Sequence, residues 1–286
     1  MEEVTLKIAI IGAGAIGKRL ATILVQHHDV TMVVRREQQK QAIITHGMKL
    51  ENGPTFTIPA TTTLPSASVY IVTVKSYALP DILPMLQQIT NDASILFLQN
   101  GLAHLPLLKQ LPNTYAGTVT MGAQSINDFT VAARGSGLLR IAAPVQHKLM
   151  HLNSLALPVE SVSDTTALLW QKAIINTVIN PLTAIMRISN GELLTNASAY
   201  ATMQAIYKEL QQGIPQYCPL APFNMIEQVC QQTAYNTSSM LSDFLAERKS
   251  EINEIVGEVL ALGNAEKMPK LSVIYQLLRA IEERYI

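Results

Sequence analysis

The chain has 286 residues, of which 48% are hydrophobic, with 21 basic and 21 acidic side chains and no formal net charge. That length suits two domains with a sizeable core. The balanced charge implies no basic face, so a nucleic-acid partner is not expected.

The first element is a strand, Leu6–Ile11. It runs into Gly12-Ala13-Gly14-Ala15-Ile16-Gly17, and a helical stretch follows to about His27. Strand, tight glycine turn and helix start stand in the order of a dinucleotide site. Gly12 allows the turn, Gly14 lets a pyrophosphate approach the backbone, and Gly17 lets the helix pack on the strand. The phosphates then sit at the positive end of the helix. Val30–Val34 is a second strand, Val69–Val74 a buried strand, Pro80–Ile89 a helix and Ser94–Leu98 another strand. Alternating strands and helices predict a parallel sheet covered on both faces. Gly117–Met121, Phe129–Ala133 and Leu138–Ala143 read as mixed or antiparallel strands that finish this sheet.

The second half reads as helices over residues 165–187, 197–212, 224–235, 251–262 and 271–283. In the fourth, Ile252, Ile255, Val256, Val259 and Leu260 form an apolar stripe at helical spacing. The pattern changes at about Ser163. The expected fold class is therefore α/β: a Rossmann-type dinucleotide-binding domain over residues 1–163 and an all-α substrate and catalytic domain over 164–286.

At the end of the second strand, where an NAD site carries an acid for the ribose 2′-hydroxyl, this chain has Arg35-Arg36-Glu37. A guanidinium at Arg35 suits a 2′-phosphate through bidentate bonds, and Lys75 could reach the same group. These side chains favour NADP(H), although Glu37 could still take a hydroxyl and the two arginines fit a solvated turn. Asn100-Gly101 follows a strand end that faces ligand in such sheets; it is a turn or a contact to nicotinamide ribose or substrate.

Lys172, Asn176 and Asn180 recur every four residues within an apolar helix, hence in one row. A row facing water is the plain reading. The chemical reading is a lysine beside a hydride acceptor, stabilising charge on the carbonyl oxygen and delivering the proton. On physical grounds alone Glu251 is an acid at a helix start and Ser239 an ordinary helix-start serine.

Two cysteines, Cys218 and Cys230, give neither metal spacing nor disulfide framework and read as buried or half-buried thiols. The six histidines form no metal-binding pattern and read as surface or loop residues, so no metal is expected. No apolar run reaches the roughly 18 residues of a membrane span, and Glu2-Glu3 is not the basic start of a secretion signal. A cytoplasmic protein follows.

From Ile8 to about Ala280 the chain resembles the ketopantoate reductases (2-dehydropantoate 2-reductases). The resemblance rests on Gly12–Gly17, Val72-Thr73-Val74-Lys75, Gln99-Asn100-Gly101, Trp170-Gln171-Lys172 through Asn176, Asn180–Ala184, Asn190–Leu193, Ser238–Asp243 and Ser250–Asn253. It implies NADPH-dependent reduction of ketopantoate to pantoate, on the way to pantothenate and coenzyme A. By the same resemblance Lys172 is the general acid, and Glu251 binds the substrate hydroxyl end and pairs with Lys172. Asn176, Asn180 and Ser239 hold the substrate, Ser239 at its carboxylate, and Asn190 lines the site. Asn100 meets cofactor and substrate, and Arg35 and Lys75 read the 2′-phosphate.

The chain departs from the family pattern at three places. Glu247-Arg248 replaces a Gly-Arg pair, Asn253 replaces an Asp, and Leu102 replaces a second glycine after Asn-Gly. A D-2-hydroxyacid dehydrogenase on this scaffold, using another 2-keto acid and NAD, is the alternative. A dinucleotide sensor without turnover is the competitor from another class, and a sensor has no need of the set Lys172, Asn176, Asn180, Ser239 and Glu251. The apolar excess of the helical half is compatible with a homodimer.

Overall fold

The computed structural model describes residues 4–286; the acidic start at Glu2 and Glu3 lies outside the described residues. The chain divides into two compact units. One comprises the residues up to Gln99 with His104–Leu168, the other Asn100–Ala103 with Leu169–Ile286.

The first unit is α/β. Its elements are β1 (Lys7–Ile11), α1 (Ala15–Leu24), β2 (Asp29–Val33), α2 (Glu37–His46), β3 (Met48–Leu50), β4 (Thr55–Phe56), β5 (Ala60–Thr61), β6 (Val69–Val72), α3 (Leu79–Leu86), β7 (Ser94–Phe97), α4 (Leu107–Gln110), β8 (Thr114–Val119), β9 (Ala123–Ser125), β10 (Thr130–Ala133), β11 (Leu139–Ile141) and β12 (Val159–Ser161). Eight strands form one sheet in the order β12-β11-β8-β7-β6-β1-β2-β5. From β5 to β8 all neighbours are parallel, and β11 adds antiparallel to β8. Strand order reverses between β1 and β6, which is where ligands bind in doubly wound sheets.

The near-continuous apolar strands follow from burial on both faces. Ile8 and Ile10 join Leu20, Ile23 and Leu24 of α1 on one side. Ala9 and Ile11 join Leu79 and Leu86 of α3 on the other. The period of two in a strand sends alternate residues to opposite faces.

One strand departs from the expectation. β10 does not finish the large sheet; it pairs with β9 and β3 in a second sheet of order β4-β3-β10-β9. Glycines permit the divergence. A Cβ on Gly137 would stand 2.2 Å from the Met121 amide nitrogen, so the chain crosses itself there at a distance only glycine allows.

The second unit is helical beyond Asn100–Ala103. It carries α5 (Thr165–Met186, from Leu169 on), α6 (Glu192–Thr195), α7 (Ala197–Gly213), α8 (Phe223–Gln232), α9 (Ser239–Leu245), α10 (Glu258–Leu262) and α11 (Pro269–Glu282). Ala199, Met203, Ile206 and Leu210 of α7 form the buried stripe. Asn196 Oδ1 caps α7 by accepting the amides of Ser198 and Ala199, each at 3.1 Å. The buried Glu209 carboxylate accepts the Lys270 and Leu271 amides at 3.1 and 3.0 Å, an anion at the start of α11.

Residues 251–262 are not the single α-helix expected. Asn253–Gly257 is a π-helical turn leading into α10. The Thr177 hydroxyl of α5 donates to Ile255 O, a carbonyl inside that turn, at 3.2 Å. Such π-turns are found frequently at functional sites. Among the described residues no helix is long and apolar enough to cross a membrane.

Candidate active site

In the first unit the site residues gather where β1 ends. Gly12 has φ +112°, and a Cβ there would stand 2.8 Å from the Val74 nitrogen. Gly17 is tighter: a Cβ would lie 1.9 Å from Gly12 O and 2.5 Å from Thr73 Oγ1. The Thr73 hydroxyl donates to Gly12 O at 2.8 Å, tying the end of β6 to the turn. Gly14 differs, because a Cβ on it would meet nothing within 4 Å. Gly14 is also the N-cap of α1 and supplies no side chain to it. Ala15 and Ile16 begin the helix, and Ala13 O accepts from Gln39 Nε2 at 3.4 Å. The first amides of α1 therefore have open space before them and no local side-chain acceptor. That arrangement fits a diphosphate.

The two strands flanking β1 carry cations past their ends. Ile11 is in register with Val33 on β2 and with Val72 on β6, and Gly12 N donates to Val33 O at 2.9 Å. Arg35 follows β2 and is exposed; Lys75 follows β6 and is half-buried. Glu37, the residue that could take a ribose hydroxyl, is committed within α2. Its carboxylate accepts from Lys40 Nζ at 3.0 Å and Gln41 Nε2 at 2.9 Å, and these bonds hold its pKa below the usual range.

The second unit brings another set together. Asn100 Nδ2 donates to Glu251 Oε2 at 3.2 Å, and Glu251 is buried. Gly101 (φ +76°) approaches the π-turn so closely that a Cβ would be 2.0 Å from Glu254 O. Lys172 on α5 is half-buried. Burial pushes its ammonium down to about 8, and the Glu251 carboxylate pulls the other way. Asn176 is half-buried and Asn180 buried in the same row of α5. The row is thus neither a water-facing stripe nor plain core.

Ser239 does start α9, and the side chain that caps the helix is that of Ser238. Ser238 Oγ accepts the Leu241 amide at 3.1 Å and bonds Thr183 Oγ1 at 2.8 Å. Ser239, the first residue of α9, is exposed. Asn190 is buried; its Nδ2 donates to Thr233 Oγ1 at 2.9 Å, and its Oδ1 has no partner among the described residues. The buried Glu282 carboxylate accepts the Ser250 amide at 2.6 Å and so fixes the residue before Glu251. Sequence reasoning passed over Glu282 and Thr177, because nothing local marks a helical Glu or Thr as a long-range clamp.

Both thiols are buried, as expected. Two of the histidines, both in loops as expected, are buried. His28 is buried between the Leu6 amide and His151 O, and His104 is buried with its ring stacked on Phe97. Among the described residues no group of three or more His, Cys, Asp or Glu side chains could hold a metal ion.

Comparison with known proteins follows the same division of the chain. The family "Ketopantoate reductase PanE/ApbA" matches residues 8–146, and "Ketopantoate reductase PanE/ApbA C terminal" matches 164–282. A 2-dehydropantoate 2-reductase of Listeria monocytogenes is 34% identical, with 97% of each chain covered. That of Bacillus subtilis is 33% identical over 97% of this chain and 98% of its own. The crystal structure of a probable 2-dehydropantoate 2-reductase from Bacillus subtilis superposes with a TM-score of 0.84, at 33% identity, covering 96% of this chain and 100% of that one. A D-mandelate dehydrogenase solved with NADH shares the fold, with a TM-score of 0.87 at 22% identity. With a Rossmann-type sheet, a helical second unit and these matches along nearly its whole length, the chain belongs to the ketopantoate reductase family of oxidoreductases.

Proposed function

We propose that this protein is an NADPH-dependent 2-dehydropantoate 2-reductase, with residues 1–163 holding the cofactor and 164–286 the substrate. The observation that carries the reading is the half-buried Lys172, with its pKa lowered to about 8 and its charge engaged by the buried Glu251. An ammonium poised near neutrality is what a proton donor to a forming alkoxide needs.

Gly12, Ala13, Gly14, Ala15, Ile16 and Gly17 supply the turn and the helix amides for the diphosphate, with Arg35 and Lys75 for the 2′-phosphate. Bound NADPH supplies the hydride. As the keto carbon of ketopantoate accepts it, the carbonyl oxygen gains an electron pair. Lys172 Nζ gives its proton to that oxygen, forming the hydroxyl of pantoate, and takes another from water after turnover. Glu251 holds the substrate hydroxyl end and keeps Lys172 charged; Asn100 holds Glu251. Asn176, Asn180 and Ser239 hold the rest of the substrate, Ser239 its carboxylate, and Asn190 lines the site.

The test is the initial rate of NADPH oxidation with ketopantoate, beside other 2-keto acids and NADH. Fastest turnover with ketopantoate and NADPH supports the proposal. A preference for another keto acid with NADH moves the protein to the D-2-hydroxyacid dehydrogenases. No turnover with any pair would leave a dinucleotide-binding protein without this chemistry.

A further inference from the structure

The residue after Arg35 is not free to join it. Arg36 Nη2 is ion-paired with Asp128 Oδ1, both side chains being partly exposed. Asp128 lies in the turn between β9 and β10, and that turn is fixed from three sides. Asn127 Oδ1 accepts the Phe129 and Thr130 amides at 3.0 and 2.7 Å. Gln39 Nε2 reaches both Asp128 O at 3.3 Å and Ala13 O at 3.4 Å, so one side-chain amide links this turn to the glycine turn. Beneath them Lys18, the residue after Gly17, is fully buried. Its ammonium donates to Ser125 Oγ at 2.5 Å, Thr130 O at 3.2 Å and Asn127 O. The turn that carries Asp128 is therefore anchored to the helix that begins at the glycine turn.

At the end of β2, then, Arg35 is exposed, Glu37 is taken up by Lys40 and Gln41, and Arg36 is neutralised by an acid from another element. An ion pair at such exposure is weak and exchangeable. A phosphate dianion beside it is a stronger bidentate partner for guanidinium than one carboxylate is. From this geometry we infer that Arg36 is a second reader of a 2′-phosphate and that Asp128 is the competing carboxylate. Asp128 thereby sets how sharply the site separates the phosphorylated from the unphosphorylated dinucleotide. This rests on the reading of Arg35 as a phosphate contact.

The experiment is titration of NADPH and of NADH, by cofactor fluorescence, into the wild type and four variants: R35Q, R36Q, D128N and D128N/R36Q. D128N should bind NADPH about three- to fivefold more tightly, the scale of a partly exposed ion pair, with NADH changed less than twofold. R36Q should weaken NADPH and not NADH. The gain of D128N should vanish in the double variant, since the two residues act as one coupled pair. An unchanged NADPH to NADH ratio in D128N, or a gain that persists without Arg36, overturns the inference. If D128N unfolds early in a thermal melt, R36Q decides: equal weakening of both cofactors overturns it. R35Q separates the two levels. If it weakens both cofactors equally the NADP reading fails; if it weakens NADPH alone while D128N changes nothing, only the role of Asp128 fails.

Discussion

Asn100 Nδ2 and Glu251 Oε2 stand 3.2 Å apart although 151 residues separate them in the chain. The bond is one tie of Asn100–Ala103 to the helical unit, with which this segment groups although its sequence neighbours belong to the α/β unit. It also specifies how a buried carboxylate is kept in place. Asn100 donates to the side chain, Glu282 accepts the amide of the preceding Ser250, and Gly101 packs on the π-turn that follows. A site group held from several sides by already ordered partners is preorganised for its task.

Asn100→Ala therefore removes a donor from a buried acid. A hydrogen bond to a charged group is worth about 1.5–3 kcal/mol, so kcat/KM should fall roughly 10- to 100-fold. Steady-state kinetics with ketopantoate checks this, and Asn100→Asp, which cannot donate from an ionised side chain, should be no better. A variant of wild-type activity would remove Asn100 from the site.

Lys172→Ala should lower kcat by about 10²-fold or more, the range of general acid catalysis, while NADPH affinity changes little. The wild-type profile carries a second check. The ammonium form is the donor, so the reduction rate should be full below pH 8 and fall as pH rises through about 8, where burial has placed the lysine. A limb at pH 10 instead would mean that Lys172 titrates as an ordinary lysine. Simultaneous loss of turnover and cofactor binding in Lys172→Ala would give it a different role.

Much of this arrangement is legible in the sequence because it is local. Gly12, Gly14 and Gly17 mark the turn because an apolar strand stands before them and a helical stretch behind, and the four-residue repeat of Lys172, Asn176 and Asn180 marks one helix row. What is not legible depends on distant partners. Nothing near Asn127 or Thr130 shows that their carbonyls bind the ammonium of Lys18. The helical pattern of residues 251–262 gives no hint of the π-turn within it or of the Thr177 hydroxyl that bonds a carbonyl there. The strand pattern of Phe129–Ala133 is read correctly, but its pairing with β9 and β3 depends on distant partners that no periodicity encodes.

The three glycines of the turn should respond differently to a methyl group. Gly17→Ala drives a Cβ to 1.9 Å from Gly12 O, an overpacking of backbone that costs about 1–3 kcal/mol or more, so Tm should fall by several degrees. Gly14→Ala meets nothing within 4 Å, so its Tm should stay at the wild-type value while NADPH binding weakens, because the methyl group enters the space a diphosphate takes. Melting curves with and without NADPH separate the two. A Gly14→Ala protein that binds NADPH normally would place the diphosphate elsewhere.

Glu247 holds φ +50°, a left-handed conformation that disfavours residues with a Cβ by roughly 1–2 kcal/mol. It stands where the family resemblance leads one to expect glycine. Glu247→Gly relieves the strain but loosens the unfolded chain, so the net gain should be about 0.5–1 kcal/mol in urea unfolding. No gain would mean that the side chain contributes more than its exposed position suggests.

Lys18 makes a prediction of pH dependence with a definite sign. Burial lowers its pKa from 10.5 to about 8, Asp128 opposing and Arg36 reinforcing the shift. Between those two values the unfolded chain carries a proton on this lysine that the folded chain has given up. The slope of unfolding free energy with pH is then positive for this group. Its contribution is lowest below pH 8, where the ammonium stays buried, and rises across the window until both states are neutral. Lys18→Met has no such titration. The stability of the wild type relative to Lys18→Met should therefore increase steadily from pH 8 to pH 10, measured by urea unfolding at intervals across that range. Taking the difference cancels Tyr207 and Cys230, whose raised pKa values bend both curves the opposite way. A flat difference would mean that the three oxygens around the Lys18 ammonium hold its proton as firmly as water does.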